Sequence, residues 1–227
     1  MGFAQGCDRE WRDAEETFQR AIRANSGYWL TYDWYAICLS AVGRSDEAIA
    51  TVRRAQQLDP LSLVIHHHAA WIYIQARRYD DALEQCRKAL ELDPNYSLGH
   101  FWLGLACSQK SMHNEAVTSL KTARGLLGNI PYSIAGLAHA FARAGQRPEA
   151  EELLQEVVAC QRYYVDPYNL AIVHAGLGEF DRVFDDLEKA YRDRSMWLAC
   201  WLKSDPRLDS VRADRRFADL LRRVGVD

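Results

Sequence analysis

LVIHHHAAWIYIQARRYDDALEQCRKALELDPNY, residues 63–96, is the clearest copy of a pattern that runs through the whole chain. Its Ala82 stands 34 residues from Ala48 and Ala116, and the same step reaches Ala14 and Ala150, with Val183 one residue early. Taking each of these as position 20 of a unit, position 24 is filled by Phe18, Val52, Cys86, Leu120, Leu154 and Leu187, all apolar. Position 27 holds Ala21, Ala55, Ala89, Ala123, Val157 and Ala190, and position 32 is proline at Pro60 and Pro94. Upstream, position 8 is Ala36, Ala70, Gly104, Ala138 and Ala171, and position 7 is Tyr35, Ala69, Leu103, Leu137 and Leu170. A constant period of this length is the signature of a helical repeat, each unit being two helices that bury one face against their neighbours.

Small residues at positions 8 and 20 let two antiparallel helices approach closely, and large apolar residues at 7, 11 and 24 fill the space around the contact. The 97–130 unit carries His100-x2-Leu103-Gly104-x2-Cys107 and then Ala116-x3-Leu120. This resembles the tetratricopeptide repeat, whose pattern is W-x2-L-G-x2-Y followed by A-x3-F and P. The resemblance implies an all-α, right-handed α-solenoid of antiparallel helix pairs with a C-terminal capping helix. The register divides the chain into a half repeat over 1–28, repeats over 29–62, 63–96, 97–130, 131–163 and 164–197, and a capping segment over 198–227.

Helix ends are marked by ordinary chemistry. Asp46, Glu47, Asp80, Asp81, Glu115, Glu149 and Asp181 place acids in the first turn of each second helix, against the positive end of its dipole. Pro148 suits a first turn, Asp59-Pro60 and Asp93-Pro94 stop second helices, and Asp166-Pro167 starts a first helix. Of 227 residues, 48% are hydrophobic and 26% charged, with a net charge of −3, an ordinary balance for a chain that buries a core. No apolar run approaches the ~18 residues of a membrane span. The six cysteines show no C-x-x-C spacing, and Cys86 and Cys107 fall on core positions, so they read as small buried hydrophobes in a reducing, cytoplasmic setting.

The two ends depart from the repeat. Residues 1–28 contain a second helix only, with Trp11, Ala14, Phe18, Ala21 and Ile22 on one face. Either the array continues upstream in a longer parent or this face packs on another chain, a homodimer included. At the other end Leu208, Val211, Phe217, Leu220, Leu221 and Val224 are expected to cover the last repeat while the arginines face water. That tail, with Leu187-Glu188-Lys189-Ala190-Tyr191 before it, resembles the closing segment of tetratricopeptide arrays in bacterial signalling proteins and transcription regulators. There the array follows a winged-helix, nucleotide-cyclase or kinase domain; none of these is present here, so the resemblance implies a regulatory or interaction module.

Function in such a module lies on the concave face, lined by the first helices. The register places Asp33, Ile37, His67, His68, Trp71, Gln75, Phe101, Trp102, Leu105, Gln109, Tyr132, His139 and Arg143 there, an aromatic and apolar groove with few charges. Aromatic anchors bring contact area at little cost in rotamer entropy. The expected partner is a protein presenting an amphipathic helix or an extended apolar segment. Asp33 and Ile37 stand where chaperone-binding relatives of the fold carry parts of a carboxylate clamp, which argues against a terminal carboxylate as ligand. Trp71 and Trp102 have an equal claim to be packing residues between repeats.

Catalytic signals are sparse. His66, His67 and His68 are consecutive, so on a helix they point ~100° apart and cannot share one metal. The i, i+4 pairing of a metal motif is missing, and neither a metal nor a cofactor is expected. An enzyme with scattered groove residues, Asp33, His67, His139 and Arg143, is the alternative, to be judged by whether these side chains converge. RNA binding would need a basic stripe. The arginines at 207, 212, 215, 216, 222 and 223 are instead interrupted by Asp209, Asp214 and Asp219, which reads as a solvated face laced with ion pairs and points away from nucleic acid.

Overall fold

Each second helix places its small residue where the preceding first helix crosses it, and this contact builds the molecule. The structure, a computed structural model, describes residues 11–226; residues 1–10, which include Cys7 and the opening of the 1–28 half repeat, lie outside the described residues. The helices are α1 (Trp11–Ala24), α2 (Trp29–Ala41), α3 (Ser45–Leu58), α4 (Leu63–Gln75), α5 (Tyr79–Leu92), α6 (Ser97–Gln109) and α7 (His113–Leu127). They continue as α8 (Pro131–Arg143), α9 (Arg147–Val158), α10 (Pro167–Leu177), α11 (Phe180–Arg192), the short α12 (Met196–Trp201) and α13 (Arg215–Val224). A 3-10 turn over Pro206–Val211 joins the last two. Consecutive helices pair and pack on the next pair, a tetratricopeptide-like solenoid without strands among the described residues.

The position-20 residues Ala14, Ala48, Ala82, Ala116, Ala150 and Val183 are all buried to 2% exposure or less. Gly104 shows how tight the crossing is, since a Cβ there would stand 2.5 Å from Leu120 Cγ and 3.0 Å from the Ala116 carbonyl oxygen. In α9 the core residue is Leu153 and not the in-register Leu154, which is half-buried. The turn from first to second helix uses a left-handed residue at one repeat position: Gly43, Arg77, Ser111, Gly145 and Gly178, with φ between 59° and 82°. Proline ends and starts helices as their geometry requires, with α3 and α5 closing just before Asp59-Pro60 and Asp93-Pro94. The Asp166 side chain accepts from the Tyr168 amide at 2.9 Å to open α10.

On the apolar face of α1, Phe18 stacks on Tyr35 at 5.4 Å and Ala14 is buried, while Trp11, Ala21 and Ile22 are half-buried. No disulfide joins Cys86, Cys107 and Cys160 to another described cysteine, and burial pushes the Cys86 thiol well up and the Cys107 thiol up, as expected of inert core cysteines.

Residues beyond α11 do not simply cover the last repeat. Phe217, Leu220 and Val224 of α13 are buried on that side, with Arg216 lying over the Phe184 ring of α11 and Arg223 over Tyr191. The preceding stretch, α12 and the 3-10 turn, instead enters the concave face and packs against α2, α4 and α6 from the far end of the array. Arg207, expected to face water, therefore has a side chain only 9% exposed. It pairs with Asp205 at 2.7 Å and lies over the Trp201 ring at 4.9 Å. Arg216 pairs with Asp214, and Arg222 and Arg223 with Asp219, as expected of a surface face, while Arg212 pairs with Asp209 and also donates to the Lys203 and Asp205 carbonyls.

Candidate peptide-binding groove

The concave groove is an aromatic trough, and the chain's own residues 196–211 occupy it. Trp71 on α4, Trp102 on α6 and Trp201 on α12 lie with ring planes parallel within 8° and centroids 5.0 to 5.7 Å apart. Phe101 meets Trp102 and Tyr132 edge-on, each at 5.3 Å, and Tyr132 passes the contact to Trp197 at 5.7 Å. Trp197 and Trp201 are four apart on α12, so both point from one face of that helix into the trough.

Polar contacts fix the inserted segment chiefly by its main chain. Gln75 donates through Nε2 to the Cys200 carbonyl at 3.1 Å, one of the carbonyls that α12 leaves without an intrahelical partner. Arg77, aimed by its left-handed backbone, donates to the Ser204 carbonyl and pairs with Asp209 at 2.7 Å. Ser204 donates to the Ser40 carbonyl at 3.0 Å, and Ser40 in turn donates to Gln75. At the far side Tyr168 donates to Asp205 at 2.7 Å. Burial alone would raise the Asp205 carboxyl, but the Arg207 guanidinium beside it holds it below the usual range, so the pair is ionic. Not every polar atom is satisfied: the indole nitrogens of Trp71, Trp102 and Trp201 and Nδ1 of His139 are buried without a protein partner.

The groove residues expected from the register are thus brought together, and most are covered. Asp33, Ile37, His67, His68, Trp71, Gln75, Phe101, Trp102, Leu105 and His139 are all buried. Gln109 and Tyr132 are half-buried, and Arg143 alone is exposed. Trp71, Trp102 and Tyr132 have ring partners from α12 as well as from neighbouring repeats, so for them packing and groove lining are the same role, while the ring partners of Phe101 are Trp102 and Tyr132 of the repeats. What the register missed is the occupant, together with Arg77, Asp205 and Arg207; Tyr168 stands at a groove position of the last repeat. Its signal was present in Met196-Trp-Leu-Ala-Cys-Trp201, whose two tryptophans four apart are out of keeping with a solvent-facing cap.

The charged and titratable groove residues converge only in part. His68 Nδ1 donates to Asp33 at 2.7 Å, while His67 stacks edge-on to His68 and has Nδ1 2.7 Å from the Tyr96 hydroxyl. Burial and the neighbouring His68 lower the His67 pKa to about 2. His139, two repeats away, is lowered to about 3 by burial and by Arg207, and Arg143 makes no bond to this cluster. His66 and His100, at one repeat position, each bond the carbonyl of the proline that follows the preceding helix, Pro60 at 3.0 Å and Pro94 at 2.9 Å. Among the described residues no group of three His, Cys, Asp or Glu side chains is placed to hold a metal, and no helix is long and apolar enough to cross a membrane.

Solved structures share the architecture. A tetratricopeptide repeat protein from Parabacteroides merdae superposes with a TM-score of 0.71 at 13% identity over 98% of this chain and 81% of its own. PilW, a type IV pilus biogenesis factor, gives 0.64 at 18% identity, covering 85% and 90%. TTC0263 from Thermus thermophilus gives 0.60 at 21%, covering 86% and 99%. These likenesses concern the fold alone, and no curated protein matches the sequence. Tetratricopeptide-repeat models match residues 8–62, 64–96 and 132–162, together just over half of the chain, and none of them describes an enzyme. With helix pairs on a 34-residue period and small residues buried at every crossing, the chain belongs to the tetratricopeptide-repeat family.

Proposed function

We propose that this protein is a non-enzymatic scaffold whose concave groove binds an aromatic-bearing helical segment of a protein partner. The fold supports a role in protein–protein interaction, and the single observation that carries the finer reading is the occupant of the groove. A short helix with tryptophans four apart fills the trough formed by Trp71, Phe101, Trp102 and Tyr132. This is helix-in-groove recognition, in which alternate side chains of one helical face serve as anchors. The site residues are those of the register, Asp33 to Arg143, joined by Arg77 and Tyr168. The resemblance of the tail to the ends of arrays in bacterial signalling proteins supports a regulatory module acting in the cytoplasm, with a protein and not a nucleic acid as partner.

The test is selection of helical peptides from a random library on the intact chain, repeated on the Trp71→Ala, Phe101→Ala double variant. Enrichment of aromatic pairs four apart by the parent, and their loss from a variant of equal helical content by circular dichroism, is the expected result. Peptides without such pairs, or captured equally by both chains, would move the interaction to another surface. Asp33 and His67 cluster with His68 and Tyr96, but His139 and Arg143, the other two candidates, do not join them, so the enzyme reading has no converged set of groups behind it.

A further inference from the structure

We infer that residues 195–212 are a tethered pseudo-ligand: they hold the groove shut in the resting chain, and a partner that opens it presents the same pattern, two aromatic residues four apart on a helix followed by an acid. This rests on the groove reading above and adds the partner's chemistry and the competition for the site.

The contacts that seat the segment are of a kind that another chain can reproduce. Gln75 and Arg77 address the carbonyls of Cys200 and Ser204, which every sequence possesses. Of the segment's side chains, the two indoles stack in the trough, the carboxylate of Asp209 faces Arg77, and Ser204 donates to the Ser40 carbonyl, with Leu198, Leu202 and Leu208 buried beside them. The Asp205–Arg207 pair is supplied by the segment itself, with Tyr168 as its one hydrogen-bond partner on the repeats. A trans segment therefore needs the aromatic pair and an acid, and can neutralise Tyr168's side in its own way.

The segment is also built to leave. Helix α12 has six residues, too few to persist without the groove. Its hinge is short and defined: Arg194 is left-handed at φ 55°, and Ser195 caps α12 while donating to Asp166 at 2.7 Å. At this interface the indole nitrogens of Trp71, Trp102 and Trp201 and the His139 ring nitrogen are buried without partners, a cost that release recovers by hydration. Tethering supplies an effective concentration in the millimolar range, so an untethered partner wins only by binding better, which makes the occupancy of the groove a threshold.

The probe is a labelled peptide with the sequence of residues 195–212, titrated by fluorescence anisotropy into the full chain and into the full chain carrying Trp201→Ala. The variant is expected to bind it at least tenfold more tightly than the parent, and neither to bind the peptide bearing Trp197→Ala and Trp201→Ala. Amide exchange on both chains guards against a failure of folding: residues 196–211 are expected to exchange faster than α4 and α6 in the parent, and faster again in the variant. Exchange as slow as that of α4 and α6, with no peptide bound, would make the segment permanent core and overturn the inference, leaving the scaffold to act through another face. Rapid exchange in the variant without peptide binding would overturn the groove reading itself. Concentration-dependent dimerisation in place of peptide binding would assign the groove to a second copy, which also overturns the inference.

Discussion

Where α6 crosses α7, Gly104 and Ala116 bring two backbones together with Leu120 filling the gap. Where residues 196–211 cross the concave face, the contact is made of stacked indoles, a buried ion pair and side chains bonded to carbonyls, with several polar atoms left over. The first interface recurs with the repeat and depends on close packing; the second occurs once and depends on electrostatics and on ring geometry. One is stable by exclusion of alternatives, since small residues leave no other packing. The other is strong only while all its parts are in place, which is what a contact made to be exchanged requires.

The largest effect that separates the two is expected at Asp205. Asp205→Ala leaves the Arg207 guanidinium buried over Trp201 with no carboxylate, a loss of about 3 to 5 kcal/mol for a broken buried pair. Replacing both, Asp205→Ala with Arg207→Met, removes the charge altogether and is expected to recover most of it. Urea denaturation of the three chains checks this. If the double variant is as weak as the single one, the ion pair is not what holds the segment.

Acid is expected to attack the groove side before the repeat interfaces. His67 and His139 are buried and neutral, with pKa values lowered to about 2 and about 3, whereas in the unfolded chain both regain a value near 6.5. Below pH ~6.5 the unfolded state binds more protons than the folded one, so stability is present in full above that pH and falls as pH drops toward the folded values. At pH 5.5 the loss is on the order of 1 kcal/mol for each histidine. Thermal melts between pH 7.5 and 5 check the slope, and His139→Asn is expected to flatten it. An unchanged slope would mean that His139 takes no part.

Much of this was legible in the sequence because repetition reports packing. Ala14, Ala48, Ala82, Ala116 and Ala150 recur because every unit solves one steric problem the same way, so helix pairs, their order and the lining of the groove could be read off the register. The occupant could not be read so, because it appears once and has no register to compare with. Trp197 fell at the end of the 164–197 repeat and Trp201 in the capping segment, and Arg207 read like one more solvated arginine, since nothing local says that a charged residue two positions from Asp205 will be buried over an indole. Long-range docking of an irregular segment depends on complementarity between distant surfaces, which a periodic pattern does not encode.

A smaller effect tests the close-packed interface directly. Gly104→Ala places a methyl group 2.5 Å from Leu120 Cγ and 3.0 Å from a carbonyl oxygen, and backbone cannot yield as a flexible side chain can. A loss of roughly 1 to 3 kcal/mol is expected from overpacking, against the slight gain that alanine gives in an unhindered helix. Gain of stability in a urea titration would mean that the crossing is looser than its geometry, and that position 8 selects small residues by propensity.

The smallest effect sets the two interfaces against each other at one repeat position. Ser111 and Arg77 occupy equivalent left-handed turns, at φ 59° and 62°, where Gly43, Gly145 and Gly178 stand in the other units. A side chain in that conformation costs about 1 to 2 kcal/mol, partly offset by the entropy that glycine loses on folding. Ser111→Gly is therefore expected to stabilise the chain by about 0.5 to 1 kcal/mol, since its turn serves the repeat alone. Arg77→Gly relieves the same strain but removes the bonds to Ser204 and Asp209, so it is expected to show no gain, and amide exchange over residues 196–211 should rise in this variant only. Equal gains from the two substitutions would mean that Arg77 holds nothing, and that the left-handed arginine is tolerated by the repeat and not retained by the groove.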